Sequence, residues 1–341
     1  MAELGMNGSI DVTTPAWIPD FNFSAPDTVF FEVTRACNLR CSHCLNASGV
    51  RSMDELTQKQ RLSMIDDLAE TGVQEIRFTG GEPMILDGLG ELLARATALN
   101  LRTSMGTNAV LATEKNVHRF ARFLHMAIVS IDGMEDRHDS IRGRGAFRRT
   151  MAGMENFLSY SIKVRVNTVI MRSGIHDTVA LAEHLYNRGI PLFVRRLVPS
   201  GRATDMLSEV LNKEEYEQVC VQLKPYLADP RGLTQGHYLN ERALETRIRL
   251  PFRRSSCSAG HRGMVTLPNG NMQTCGFLGS LGEPSVGKVP DESLATIWKR
   301  LLVSNHIASL EDNLAIHNQY STGPSTNCLA IALSSRICTP P

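Results

Sequence analysis

Between residues 29 and 200, short β-like runs alternate six times with helical ones, and this alternation limits the fold more than any other feature of the 341-residue chain. The strand candidates are 29–34, 75–79, 101–106, 126–131, 163–171 and 191–198. Several are apolar enough to be buried on both faces, as parallel strands are. Helical spacing fills the gaps, with Leu62, Ile65, Leu68 and Ala69, then Phe147, Met151, Met154 and Leu158, then Val179, Ala182, Leu185 and Tyr186. Parallel strands joined by helices need right-handed crossovers, so the expected class is α/β on a parallel sheet. Ligand-binding residues in such sheets collect at the carboxyl ends of the strands.

The loops at those ends carry the chemistry. Directly after the first strand, Cys37, Cys41 and Cys44 form a C-x3-C-x2-C run. Three thiolates so spaced can hold three corners of a cubane iron–sulfur cluster and leave the fourth iron open to a small molecule. The competing reading, half of a zinc site, needs a second C-x2-C or a His pair at finger spacing, and the sequence has neither. After the second strand, Gly80, Gly81 and Glu82 make a double-glycine turn with a carboxylate. Glycines let a backbone approach a ligand closely, and Glu82 can accept charge-assisted hydrogen bonds from an ammonium group.

On these two motifs the chain resembles the radical S-adenosylmethionine (SAM) superfamily. The resemblance implies a partial (β/α)6 barrel whose Cys37, Cys41 and Cys44 hold a 4Fe-4S cluster, reduced by a flavodoxin or ferredoxin. It implies SAM at the open iron, its amine near Gly80, Gly81 and Glu82, and a 5′-deoxyadenosyl radical that takes hydrogen from the substrate. It further implies Ser130 and Asn167 as contacts to the ribose or carboxylate of SAM, with Thr107 and Asn108 shaping the pocket. Turn or local backbone roles remain open for Asn108, Gly133 and Asn167. Arg142 lies in a stretch like the family's, with a solvated loop arginine as the alternative, and His43 is expected to pack beside the cluster without ligating it.

A second informative region begins at Cys257. The turn Pro268-Asn269-Gly270 joins two alternating segments, a hairpin signal with Asn-Gly supplying positive φ, and the hairpin would bring Cys257 and Cys275 into reach of one metal. A helix with Leu294, Ile297, Trp298 and Leu301 on its apolar face follows, with Asp291 as its expected cap. This order resembles the SPASM and twitch extensions of radical SAM enzymes, which carry auxiliary clusters. Four cysteines lie beyond residue 250, Cys257, Cys275, Cys328 and Cys338. They suffice for one fully ligated cluster, so by resemblance two 4Fe-4S clusters are expected, although Cys328 and Cys338 are more widely spaced than the extension's pattern. The expected organisation is an N-terminal segment (1–28), the barrel (29–205), a helical linker (206–252) and a small α+β twitch- or SPASM-like extension (253–341).

With 36 basic and 35 acidic side chains the net charge is +1, which suggests neither nucleic acid nor a membrane surface as partner. Without a signal segment or an apolar run long enough to span a bilayer, a cytoplasmic enzyme is expected. The segment ahead of Val29 is too short for the leader-binding domain of many peptide-modifying members, which favours a small molecule. By resemblance to twitch-bearing relatives the first choice is a sugar ring of an aminoglycoside or nucleoside antibiotic, oxidised, epimerised or decarboxylated. Arg195 and Arg196, at a strand end, could grip a carboxylate or phosphate, or serve SAM or a salt bridge. A ribosomal-peptide maturase is the alternative, and a non-catalytic metal-binding protein is a third reading. Cys220, outside both cysteine groups, is either a core thiol on a helix or a hydrogen donor to a substrate radical.

Overall fold

The computed structural model describes residues 24–227, 233–236, 259–260, 262–280 and 282–304. Strands β1 (Thr28–Thr34), β2 (Glu75–Gly80), β3 (Arg102–Thr107), β4 (Met126–Ser130), β5 (Lys163–Ile170) and β6 (Leu192–Arg196) match the six expected ones to within about two residues at most ends. Each pairs in parallel with the next, in chain order. Helices α1 (Gln58–Thr71), α2 (Leu89–Ala98), α3 (Glu114–His118), α4 (Glu135–Arg142), α5 (Ala146–Ser159) and α6 (Ile175–Asn187) make the crossovers. The result is an α/β fold of the partial-barrel kind.

Helix α1 shows how local sequence sets an element. Thr57 caps it by accepting from the Gln60 N–H, Gln60 reciprocates at the Thr57 N–H, and Met64, Ile65 and Leu68 are buried one turn apart. In α5 the expected stripe is displaced. Ala146, Thr150, Gly153, Met154 and Phe157 are fully buried, while Phe147, Met151 and Leu158 flank them. The helix comes so close to the α3 side of the sheet that a Cβ on Gly153 would run into the Ala109 carbonyl oxygen, so small residues occupy the centre of the contact.

Beyond β6 the structure departs from the expected linker. Helix α7 (Lys213–Leu227) packs on α6 and leads to β7 (Thr234–Gly236), which extends the parallel sheet beside β6. Three residues carry too little periodicity to be recognised as a strand. At the other edge, β8 (Gly263–Thr266) pairs in parallel with β1 and in antiparallel with β9 (Asn271–Gln273), the expected hairpin. Only Gly270 of its turn has positive φ, +89°. Helix α8 (Gly276–Ser280), β10 (Gly287–Lys288) and α9 (Leu294–Val303) complete the described chain. Among the described residues the sheet therefore has ten strands, ordered β10-β9-β8-β1-β2-β3-β4-β5-β6-β7.

Helix α9 buries Leu294, Ile297, Trp298 and Leu301 as expected, but its cap is Ser293, which accepts from the Thr296 N–H, and not Asp291. These side chains share one apolar core with Val29, Phe31, Ile65 and Leu68, and the Leu294 N–H donates to Asp67 of α1 at 2.7 Å. The described part of the extension thus packs as a continuation of the barrel. Among the described residues no helix is long and apolar enough to cross a membrane.

Candidate active site

Parallel strands bury their outward faces under helices, which turns Phe30, Glu32, Arg77, Thr79, Gly106, Ile128, Ser130, Asn167 and Arg195 to the inside. They line one cavity of about 460 Å³ at the carboxyl ends of β1 to β6, together with Cys37, Cys41 and Cys44. The loop bearing these cysteines is held mainly by its backbone. The Cys37 N–H donates to Gly49 O at 3.1 Å, the Ser42 N–H to Ile141 O at 3.0 Å and the Cys44 N–H to Cys41 O at 3.3 Å. From beyond β6, Arg202 donates to Cys41 O and Ser48 O, both at 2.8 Å, and its N–H to Cys44 O at 3.0 Å. Glu55, itself paired with Arg51 and the buried Arg61, accepts from the Thr34 hydroxyl and the Arg35 N–H at the start of the loop.

The double-glycine turn is built against that loop. The Gly81 N–H donates to Thr34 O at 2.7 Å and the Glu82 N–H to Ala36 O at 2.8 Å, and a Cβ on Gly81 would collide with the Ala36 carbonyl. Gly80 and Gly81 line the cavity. Glu82 is placed otherwise than its motif suggests: it is fully buried, and its carboxylate accepts from the Thr107 hydroxyl (2.8 Å), the Asn108 N–H (2.8 Å) and the Met84 N–H (3.2 Å). Burial pushes its pKa up to about 7 against the pull of those donors. In this arrangement Glu82 ties β3 to the turn beneath the cavity surface, and Thr107 and Asn108 are its partners.

A second buried network was not legible in the sequence. Asp132, after β4, accepts from Arg142 Nε at 2.8 Å and the Val169 N–H at 2.9 Å, and lies 2.6 Å from His43 Nε2. These partners hold the Asp132 carboxyl below the usual carboxylate range despite complete burial. The Asp132 N–H donates to His138 Nδ1, and burial pushes the pKa of that imidazole down to about 4, which keeps it neutral. Arg142 is no solvated loop arginine: it is largely buried, and its Nη1 lies 3.8 Å from the Cys41 Sγ. His43 packs beside the cysteines as expected, tied to Asp132.

The three thiols suit an iron–sulfur cluster. Burial pushes Cys37 up to about 11, and Cys41 and Cys44 lie near enough to raise it further, a strain that metal ligation of the thiolates relieves. N–H groups are already aimed at the sulfurs, from Leu39 at 3.4 Å and Asn108 Nδ2 at 3.9 Å to Cys37, and from Arg142 to Cys41. Among the described residues no three His, Cys, Asp or Glu side chains converge on one metal ion. Thiolates that bind separate irons of a cubane need not converge.

Ser130 and Asn167 are register partners on β4 and β5, and both face the cavity. Among the described residues Asn167 Oδ1 is buried without a hydrogen-bond partner, as a ligand-contacting amide would be. Arg195 and Arg196 also line the cavity. Cys275 lines it too, just ahead of α8, whereas Cys257, Cys328 and Cys338 lie outside the described residues. For Cys220 the structure supports the core-thiol alternative: it is 3 % exposed among Tyr216, Val219 and Leu223, is not one of the residues that line the cavity, and burial pushes its pKa up to about 11.

Residues 31–185 match the Radical SAM superfamily. The chain is 30% identical over 297 residues to the AdoMet-dependent heme synthase of Oleidesulfovibrio alaskensis, an alignment covering 80% of this chain and 74% of that one. It is also 30% identical to the mycofactocin maturase MftC of Mycobacterium tuberculosis, over 74% of this chain and 65% of that one. Streptococcus suis SuiB bound to precursor peptide SuiA shares the fold, with a TM-score of 0.68 at 18% identity over 81% of this chain and 65% of SuiB. A cysteine loop clamped at the carboxyl end of β1 and a glycine turn packed against it agree with these likenesses, and the chain belongs to the radical SAM superfamily.

Proposed function

We propose that this radical SAM enzyme matures a peptide by removing a hydrogen atom from it. The carrying observation is the likeness to a maturase over three-quarters of the chain, and the shared fold of SuiB, which binds a precursor peptide, supports it. The glycoside or nucleoside reading is given up in its favour, because the reported relatives point to maturation or haem synthesis. The non-catalytic reading falls with membership of an enzyme family. A second substrate class, a tetrapyrrole, is favoured by the longer alignment with the heme synthase.

The 4Fe-4S cluster and SAM together supply one-electron cleavage of the sulfonium, which yields the 5′-deoxyadenosyl radical. Cys37, Cys41 and Cys44 would hold the cluster, and Arg142 and Asn108 would donate to its sulfur ligands. The Gly80 and Gly81 backbone would lie along the methionyl part of SAM, with Ser130 and Asn167 accepting from and donating to its polar groups. Glu82 would act from below by fixing the turn. The walls from Ile128, Val169 and Phe30 would keep water away from the reacting carbon. A flavodoxin or ferredoxin would supply the electron, and Cys275 with Cys257, Cys328 and Cys338 would hold a second cluster.

The test is anaerobic incubation of the reduced enzyme with SAM and, separately, a peptide encoded beside its gene and iron-coproporphyrin III. A mass change in the peptide, coupled to 5′-deoxyadenosine, is expected. Conversion of the porphyrin alone would transfer the assignment to the tetrapyrrole class. Iron analysis tests the second cluster: iron sufficient for only one cubane in folded enzyme would remove it.

A further inference from the structure

The cysteine loop is fastened from the last strand of the expected barrel. Arg202 lies in the segment after β6, yet its Nε donates to Cys41 O and its Nη1 to Ser48 O, both at 2.8 Å, while its N–H donates to Cys44 O at 3.0 Å. One residue thus holds carbonyls at both ends of the span 41–48, and two of the three belong to residues that carry the thiols. The approach is close: Gly201 has a φ of +59°, and a Cβ there would run into the Cys44 and Leu45 carbonyl oxygens. Behind the contact, Ala203 joins Ile141, Met171 and Leu197 in a small apolar core of its own. Ile141 O accepts from the Ser42 N–H, so the loop is tied to this core from two sides.

The two guanidiniums bonded to this loop differ in what answers their charge. Arg142 is paired with Asp132 at 2.8 Å, so the charge that it brings to Cys41 is largely cancelled. Arg202 borders the same cavity and, among the described residues, bonds to carbonyls and to no carboxylate. Carbonyls orient a guanidinium fork without neutralising it. A cation hydrogen-bonded to a ligand residue favours the redox state of the bound metal that carries more negative charge, and groups behind the ligands tune a cluster in this way. We propose that Arg202 is a positioning residue for the cluster that Cys37, Cys41 and Cys44 would hold: its fork fixes the loop, and its charge raises the reduction potential of the cluster. The proposal rests on the reading of these three cysteines as cluster ligands, and it is independent of which substrate is used.

The experiment is an anaerobic redox titration of cluster-loaded enzyme without substrate, followed by the EPR signal that added SAM perturbs and accompanied by iron analysis. The wild type is compared with Arg202→Gln, which keeps a donor and drops the charge, and with Arg202→Lys, which keeps the charge and drops the fork. Arg202→Gln should be reduced about tenfold less readily, a shift of about 59 mV to lower potential. Arg202→Lys should stay within about threefold of the wild type, with an altered EPR line from the loosened loop. A wild-type potential in Arg202→Gln at full iron content overturns the proposal, and so does an equal shift in both variants, which would leave the charge without effect. If Arg202→Gln takes up no iron, Arg202→Lys decides: full iron at the wild-type potential upholds the proposal, and a tenfold shift overturns it. Loss of iron from both variants also overturns it, by reducing Arg202 to a residue needed for folding. A wild type that takes up no cluster overturns it together with the cofactor assignment, whereas failure to convert a peptide leaves these potentials untouched and sinks the peptide reading alone.

Discussion

The rim and the floor of this barrel treat buried charge in opposite ways. At the rim two buried carboxylates are answered: Asp132 by Arg142, His43 and the Val169 N–H, and Glu82 by Thr107, Asn108 and Met84. At the floor, among the described residues, Arg165 Nε is buried without a partner, and the charge of Arg77 lies near enough to act on it. A closed network resists change and fixes the residues around it, while an open one gains most when a ligand completes it. The rim is therefore a closed framework around the cysteine loop, while the floor holds a half-buried cation with one donor nitrogen unanswered among the described residues.

The largest effect should come from the rim's outermost members. Replacing Cys37, Cys41 or Cys44 singly by Ala should abolish SAM cleavage, followed as 5′-deoxyadenosine, with the loss of bound iron; cleavage at the wild-type rate in any of the three would undo the site. Next, Asp132→Ala strands Arg142 as a buried cation and should cost about 3–5 kcal/mol, read from anaerobic denaturation of the loaded enzyme. Arg165→Gln should leave stability unchanged or raise it, because it removes a half-buried cation that lies near Arg77. Equal losses from both substitutions would erase the contrast between rim and floor. Because the folded pKa of Asp132 is depressed, its contribution is present at neutral pH and is lost only as pH falls through that low folded value.

Glu82 gives the opposite pH dependence. Its folded pKa is raised from 4.5 to about 7, so the folded state holds the proton longer than the unfolded one, and stability should fall by about 3 kcal/mol as pH rises through that window. Glu82→Gln should flatten the profile between those limits in thermal unfolding; an unchanged slope would show that Glu82 is not buried as described. Smaller again, Asn167→Ala should weaken SAM binding by about 1 kcal/mol, roughly fivefold, by equilibrium titration, and unchanged affinity would return Asn167 to a structural role. Least of all, Cys220→Ala should lower stability by about 1 kcal/mol with product distribution unaltered. A variant that formed 5′-deoxyadenosine but stalled on substrate would revive the hydrogen-donor reading.

Much of the site was legible because it is local. The C-x3-C-x2-C run and the Gly-Gly-Glu turn each sit within a few residues, at the ends of strands whose apolar runs mark them. The placement of Glu82 was not legible, since its partners Thr107 and Asn108 come from the next strand and only pairing of β2 with β3 brings them near. Arg142 was ambiguous for the same reason: an arginine on a short helix looks solvated until Asp132 and Cys41 are placed beside it. Arg202 gave no signal at all, lying 161 residues from Cys41, whose carbonyl it clamps.

By itself, then, the sequence determined the repeat of strand and helix, the six parallel strands and the family of the cofactor loop, because hydrophobic period and motif spacing are properties of neighbours along the chain. Only the tertiary structure decided that β8 closes onto β1, that Cys220 is a core thiol, and which charged side chains are answered and which are left open. Those outcomes depend on what burial places within a few ångströms, and a desolvated charge is governed by such neighbours wherever in the chain they originate.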